Sequence, residues 1–255
     1  MTNNLTNHVR NNFKGMLVFG DVHADYDSYM QAYNYAQAHN LFFMSLGDLV
    51  DRGRFPFETV LHMAQTVKSG AGGFTIGNHD DKYRRFFHGS KVSFSADAKQ
   101  TLEDVGQERQ AEFLQMYTEL IETPVYSSMF HKFDDITLVH AASHPCMWED
   151  TDKFGKSAQS RALVGETTGE KHPDGLPVRL YNWVDEIPMG KTVMVGHDRK
   201  PVFDVFITEA LVKSNSNGGK AIFMDTGCGK GGFLIAAIVV HDKKCFKIDH
   251  YVEFK

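Results

Sequence analysis

With 255 residues, 42% of them hydrophobic and 23% charged, the chain has enough apolar material for one large α/β domain, and no apolar run reaches the roughly 18 residues of a membrane span. The 27 Lys and Arg are outnumbered by 32 Asp and Glu, a net charge of −5 that disfavours gripping extended nucleic acid but not recognition of one terminal nucleotide. Three cysteines and a polar Met1–Asn12 stretch with no apolar leader core predict a reduced compartment, the cytoplasm.

Residues 1–13 read as a flexible lead-in, and 14–255 as one domain that carries a helical insertion or cap over 82–130. Met16–Phe19, Leu41–Leu46 and Gly73–Ile76 are apolar runs of strand length. Between the first two, Tyr26, Tyr29, Met30, Tyr33 and Ala36 recur at helical spacing, which predicts a helix over Asp27–His39. Between the second and third, Pro56 suits a first helical turn, and an apolar face continues from Phe57 to Val67. Each strand runs directly into a short motif: Gly20-Asp21-Val22-His23, Gly47-Asp48-Leu49-Val50-Asp51-Arg52-Gly53 and Gly77-Asn78-His79-Asp80. The carboxyl edge of an α/β sheet is where ligands bind. Asp, His and Asn delivered together to that edge predict a metal site.

The alternation breaks at 82–130. Asp97–Ile121 reads as largely helical, with Pro124 as its stop, and the segment is expected to form a partial cap. Lys82, Arg84 and Arg85 are either an exposed charged side or a hold for anionic substrate. The strand pattern then resumes: Ile136–Val139 ends at His140, Thr192–Val195 at Gly196-His197, and Ala221–Met224 at Asp225-Thr226-Gly227-Cys228. Phe233–Val240 and Cys245–Val252 are further strands. Asp150–Leu180 reads as a long polar loop or short helices, and Asn215–Gly219 as a hairpin turn.

In order and interval, the three motifs resemble the signature of the calcineurin-like metallophosphoesterases, in particular the branch of the serine/threonine phosphoprotein phosphatases. One such tetrapeptide alone is weak, but three in order, each after a strand, are specific. The resemblance implies a single-domain α/β fold, a β-sandwich flanked by helices. It also implies a dinuclear hydrolase in which Asp21 and His23 hold one metal, Asp48 bridges, and Asn78, His140 and His197 complete the second. Further implied are attack by a metal-bound hydroxide, Arg52 on the equatorial oxygens, and His79 protonating the leaving oxygen while Asp51 orients its ring. Charge arithmetic supports a phosphate ester: two divalent cations, two aspartates and a hydroxide leave about +1 if the histidines are neutral. Mixed imidazole, carboxylate and amide ligation suits two transition metal ions, manganese first, with iron, zinc or nickel as alternatives.

A second stretch narrows the class. Ser160–Gly169, Gly175-Leu176-Pro177-Val178-Arg179, Gly196-His197 and Asp225-Thr226-Gly227-Cys228 resemble the phosphatase module of bacterial polynucleotide kinase-phosphatases. They are also similar to the small bacterial enzymes that cleave dinucleoside tetraphosphates asymmetrically. By that resemblance Arg161 and Arg179 are phosphate or substrate contacts, and Asp225 supports the site or faces the substrate. Three positions depart from the pattern: Ala24 for Gly, Asp198 after the last ligand, and Ala142-Ser143-His144 after Ala141. The leading expectation is hydrolysis of phosphomonoesters, whether phosphoprotein, nucleotide or nucleic-acid end. Asymmetric dinucleoside tetraphosphate hydrolysis is the alternative, and an inactive metal-stabilised binding scaffold is the reading from another class.

Overall fold

The apolar runs pair into two sheets, and alternate side chains along each strand go to different cores. The protein is described here from a computed structural model covering residues 2–148, 154–173, 175–201, 205–242 and 245–255. In chain order the elements are α1 (Thr2–Asn12), β1 (Gly15–Phe19), α2 (Tyr26–His39), β2 (Leu41–Ser45), α3 (Pro56–Lys68), β3 (Gly72–Thr75), α4 (Asn78–Phe87), α5 (Ala96–Val105) and α6 (Gln110–Ile121). They continue with β4 (Ser127–Ser128), β5 (Phe130–Phe133), β6 (Ile136–Val139), α7 (Lys156–Val164), β7 (Glu166–Lys171), β8 (Pro177–Leu180), β9 (Thr192–Val195), β10 (Leu211–Ser214), β11 (Lys220–Phe223), β12 (Leu234–His241) and β13 (Phe246–Phe254).

One sheet has the order β13-β12-β1-β2-β3-β4 and the other β10-β11-β9-β6-β5, while β7 and β8 form a separate hairpin. Strands β1, β2, β3 and β4 are mutually parallel, as are β6, β9 and β11. Met16, Val18, Phe42 and Met44 from the first sheet meet Leu138, Met194 and Ile222 from the second in one buried layer. Their neighbours Leu17, Phe19, Phe43 and Phe74 face the opposite way, into a cluster with α2, α3 and the 82–130 helices. Val139, Val193, Val195 and Phe223 pack outward on Trp183 and α7. This is an α/β sandwich with helices on both outer faces, as expected from the sequence.

Several local expectations are corrected. Residues 2–12 do not trail as a flexible lead-in: α1 buries Leu5 and Val9 against the inter-sheet layer. The short polar sequence hid this, because only two apolar side chains four residues apart carry the contact. The predicted Asp97–Ile121 helix is two helices, since Gly106 takes φ +81 and ends α5. These helices are also less a cap than part of the wall, because Phe113 and Tyr117 on α6 pack with Phe57 and Tyr83 in the outer core. Within Asp150–Leu180, where 149–153 and 174 lie outside the described residues, the chain forms the short helix α7, one of the two expected alternatives, and a β7–β8 hairpin that was not expected. Asn215–Gly219 is the turn between β10 and β11, closed by Asn215 N–H donating to the Gly219 carbonyl at 3.0 Å.

Candidate metal centre

Strands β1, β2 and β3 of one sheet and β6, β9 and β11 of the other all end at the same edge. The residues just past their ends are Asp21, Asp48, Asn78, His140, His197 and Asp225. The turns that present them are strained. His23, Ala24, Asp48, Asp51, Arg52 and His197 all have left-handed backbones, φ between +49 and +84, each costing on the order of 1 kcal/mol. Ala24 therefore takes at a cost the conformation that the usual glycine takes freely. Glycines stand where atoms would collide: a Cβ on Gly77 would lie 2.2 Å from Asp48 Oδ1, and one on Gly196 would lie 2.1 Å from Asp21 Oδ1.

The donor atoms form two groups that share Asp48. Asp21, His23 and Asp48 offer atoms within 4.8 Å of one another, and so do Asp48, His140 and His197. Asp48 Oδ1 accepts the His79 backbone N–H at 3.0 Å. Its Oδ2 is left facing His140 Nε2 at 3.4 Å and His23 Nε2 at 4.0 Å. The side chain of Asn78 joins the second group, with Oδ1 3.1 Å from His140 Nε2.

Which imidazole atoms carry lone pairs follows from their other contacts. His23 Nδ1 lies 2.9 Å from the Val50 carbonyl and His140 Nδ1 lies 2.8 Å from the Leu46 carbonyl. A carbonyl only accepts, so both Nδ1 atoms carry a proton and the Nε2 atoms are the ones turned to the site, each with its lone pair free once the ring is neutral. His140 Nε2 thus meets His197 Nδ1 at 3.1 Å together with the Asn78 and Asp48 oxygens. Asp21 Oδ2 and His197 Nε2 are buried and have no hydrogen-bond partner. Converging acceptors with nothing to accept from fit cations, and this donor set fits two of them.

The electrostatics carry the same demand. Burial opposes a charge on His140, but Asp48 outweighs it and pushes the imidazole up to about 10. Burial and the Arg179 guanidinium hold His197 well below the imidazole range, so it stays a neutral donor. Burial works against His79 as well, yet Asp48 and Asp51 raise it. His79 Nδ1 contacts Asp51 Oδ2, and its Nε2 is 3.9 Å from Asp48 Oδ2.

Asp80 anchors the scaffold behind the ligands. It accepts the backbone N–H groups of Asp48 at 2.8 Å, Gly77 at 2.7 Å and Leu49 at 3.1 Å, and the Tyr117 hydroxyl. Strands β2 and β3 are thereby tied at their ends.

A cavity of about 480 Å³ opens from this cluster. Its inner end holds His23, Asp48, Asn78, His79 and His197, with Arg52 beside them. Arg52 donates from Nε to Asp97 at 3.0 Å, with Nη1 3.4 Å from His23 Nε2. The outer wall comprises Arg179, Arg199, Lys200, Leu176 and Phe206. The Arg199 guanidinium lies 4.4 Å from the Phe206 ring centre and Lys200 Nζ lies 4.5 Å from it.

Of the expected substrate contacts, Arg179 lines the cavity and donates to the Val164 carbonyl at 2.7 Å. Arg161 does not: it is buried beneath Glu186, 2.9 Å away, and Glu166, 3.4 Å away, a structural pairing. Asp225 is fully buried and does not line this cavity. It accepts the Gly227 N–H at 3.0 Å and pairs with Lys230 at 3.1 Å, and burial together with Asp21 raises it well above the carboxylate range. Asp198 adds no bare charge, since it accepts the Tyr181 hydroxyl at 2.5 Å and the Lys200 N–H at 3.0 Å, with Arg179 at 3.8 Å. His144 turns to Cys146, 3.1 Å from its Sγ, away from the cavity. Lys82, Arg84 and Arg85 also lie outside the cavity wall; Arg84 pairs with Asp81 at 2.5 Å.

Comparison with known proteins decides the family, since the profile of the calcineurin-like phosphoesterases matches residues 16–201. The chain belongs to the calcineurin-like phosphoesterases. This calcineurin-like phosphoesterase is 28% identical over 233 residues to a protein of Halalkalibacterium halodurans named bis(5′-nucleosyl)-tetraphosphatase PrpE [asymmetrical], covering 86% of this chain and 87% of that one. A Geobacillus sp. (strain WCH70) protein of the same name is 30% identical over 196 residues, 75% and 72% of the two chains. Two solved structures share the fold, each with a TM-score of 0.55. One is described as a candidate diadenosine tetraphosphatase, with 18% identity, covering 94% of this chain and 93% of its own. The other is a Saccharomyces cerevisiae protein serine/threonine phosphatase with similarity to human phosphatase PP5, with 12% identity, covering 100% and 87%. The protein is a metal-dependent phosphoester hydrolase with a dimetal centre. Among the described residues, no helix is long and apolar enough to cross a membrane.

Of the cavity wall, Arg179 was expected from the sequence and Arg199, Lys200 and Phe206 were not; of the groups behind the candidate ligands, Asp225 was expected and Asp80 was not. Arg199 and Lys200 lie two and three residues after the candidate ligand His197, a proximity that could have flagged them. Asp80 ends the third motif and was equally within reach. Thr101, Tyr117 and Phe206 carry no local signal.

Proposed function

We propose that this phosphoesterase cleaves dinucleoside tetraphosphates asymmetrically, into a nucleoside triphosphate and a nucleoside monophosphate. The carrying observation is the cavity, which runs from the ligand cluster to the Arg179, Arg199 and Lys200 wall around Phe206. A phosphomonoester places its charge at the ligand cluster and Arg52 alone, whereas a tetraphosphate bridge carries charge on every phosphate and continues along a cationic wall. Half-exposed Leu176 and Phe206 offer apolar surface of the kind a nucleobase covers. The names of the relatives support the same substrate.

In this reading Asp21, His23 and Asp48 hold one cation, and Asp48, Asn78, His140 and His197 hold the other. The pair supplies phosphoryl polarisation and activation of water at neutral pH. Arg52 and Arg179 bind phosphoryl oxygens, a task suited to their planar donor forks. His79 releases a proton from Nε2 to the leaving oxygen, while Asp51 holds Nδ1 and favours the charged ring. The mixed donor set supports manganese, and three free thiols support a reduced compartment, the cytoplasm.

The test is turnover by the manganese-reconstituted protein of diadenosine tetraphosphate, a phosphoserine peptide and p-nitrophenyl phosphate at equal concentration. The highest kcat/KM is expected on the tetraphosphate, with ATP and AMP as products. Preference for the phosphopeptide would overturn the proposal in favour of a phosphoprotein phosphatase.

A further inference from the structure

Helix α5 lies in the 82–130 segment, more than 40 residues beyond the second motif, yet one of its faces grips two consecutive residues of that motif. Asp97 accepts from Arg52 Nε at 3.0 Å, and one helical turn later Thr101 Oγ1 donates to Asp51 Oδ1 at 2.9 Å. Tyr83 on α4 donates to the same oxygen at 2.5 Å. Thr101 and Tyr83 are buried, and the Asp51 carboxylate they hold is completely so.

Two hydroxyl protons on Oδ1 leave Oδ2 as the oxygen available to His79 Nδ1. The carboxyl cannot rotate without breaking both bonds. The turn that bears it, with left-handed Asp51 and Arg52, contributes strain instead of rigidity. We infer that Thr101 is a positioning residue for proton delivery, fixing the Asp51 carboxylate so that the His79 ring presents Nε2 to the leaving oxygen. The inference rests on the reading of His79 as the proton donor.

A positioning role shows in leaving-group dependence. Phenolate is basic and needs the proton, whereas p-nitrophenolate departs without it. Thr101→Val, which keeps shape and removes the hydroxyl, is expected to lower kcat on phenyl phosphate about 10-fold and on p-nitrophenyl phosphate less than about twofold, with KM unchanged. Thr101→Ser is expected to restore both. In the metal-free protein, the low-field His79 Nδ1 proton resonance, identified by its loss in His79→Ala, is expected to move upfield in Thr101→Val and return in Thr101→Ser. If Thr101→Val does not fold, Tyr83→Phe removes the other donor to the same oxygen and carries the same expectation. His79→Ala separates the two readings. A selective loss on phenyl phosphate there, with equal losses on both esters in the Thr101 variant and an unmoved resonance, overturns the positioning role alone. Equal losses on both esters in His79→Ala overturn the proton-donor reading and this inference with it.

Discussion

The backbone N–H of His197 donates to Asp21 Oδ1 at 2.9 Å, joining the end of β9 in one sheet to the end of β1 in the other. The bond spans 176 residues and runs through a candidate ligand, so the metal centre and the docking of the two sheets are one arrangement. Asp21 Oδ2, the other oxygen of that carboxylate, is buried with no hydrogen-bond partner, 3.5 Å from His23 Nε2. A bound cation is therefore expected to stabilise the whole sandwich. Chelation should lower Tm by several degrees, and added manganese should restore it in a concentration-dependent way, as linkage requires. A Tm indifferent to both would count against the site.

Asp48 is the candidate ligand common to both donor groups, so its loss is expected to reach both cations. Asp48→Asn should reduce bound metal below that of His23→Ala or His197→Ala, each of which removes a ligand from one group only. Turnover should fall by at least about 100-fold. Metal content by elemental analysis is the check. Gly77→Ala should act in the same direction, because its methyl would occupy the place of Asp48 Oδ1.

Phe206 and Arg199 line the cavity and are not among the candidate ligands. Phe206→Ala is expected to raise KM for diadenosine tetraphosphate about 10-fold and to leave p-nitrophenyl phosphate kinetics within about twofold. Equal effects on the two substrates would show that the wall does not meet the nucleotide.

Arg161 was expected from the sequence to touch phosphate, and its pairing with Glu186 and Glu166 assigns it to the fold instead. Both glutamates are about two-fifths exposed, so solvent weakens the pairing. Arg161→Met is expected to cost roughly 1–2 kcal/mol of stability with KM unchanged, whereas Arg179→Met should raise KM. Denaturant unfolding and steady-state kinetics on both variants decide this.

His131 on β5 is buried, with Nε2 3.1 Å from the Phe74 carbonyl, and burial pushes it down to about 4. Its folded value lies below the free imidazole value of about 6.5, so the unfolded chain takes up the proton first. The resulting stability is complete above about pH 6.5 and is lost as pH falls towards 4, about 3 kcal/mol in all. His131→Gln, which can keep the donor, should flatten the stability profile across that window. An unchanged slope would remove His131 as the cause.

The cluster of candidate ligands was legible because each of them closely follows an apolar run. Once Met16–Phe19, Leu41–Leu46, Gly73–Ile76, Ile136–Val139 and Thr192–Val195 are strands, the following Asp, Asn or His must leave at a strand end. Local periodicity also gave α2, α3 and most of the sheet. It could not give the α1 packing, since Leu5 and Val9 are two apolar residues in a polar segment and their burial depends on an inter-sheet layer assembled from distant strands. Nor could it distinguish Arg161 from Arg179: both stand in polar stretches of similar composition, and only the packing of α7 against Glu186 turns one away from the cavity that the other lines. Thr101 and Asp97 became partners of Asp51 and Arg52 only when α5 folded back across the second motif. Strand-end chemistry is a local property of the chain, and the sequence by itself determined it. Those groups are held in place mainly by contacts about 30 to 180 residues apart, and only the tertiary structure decided which side chains would make them.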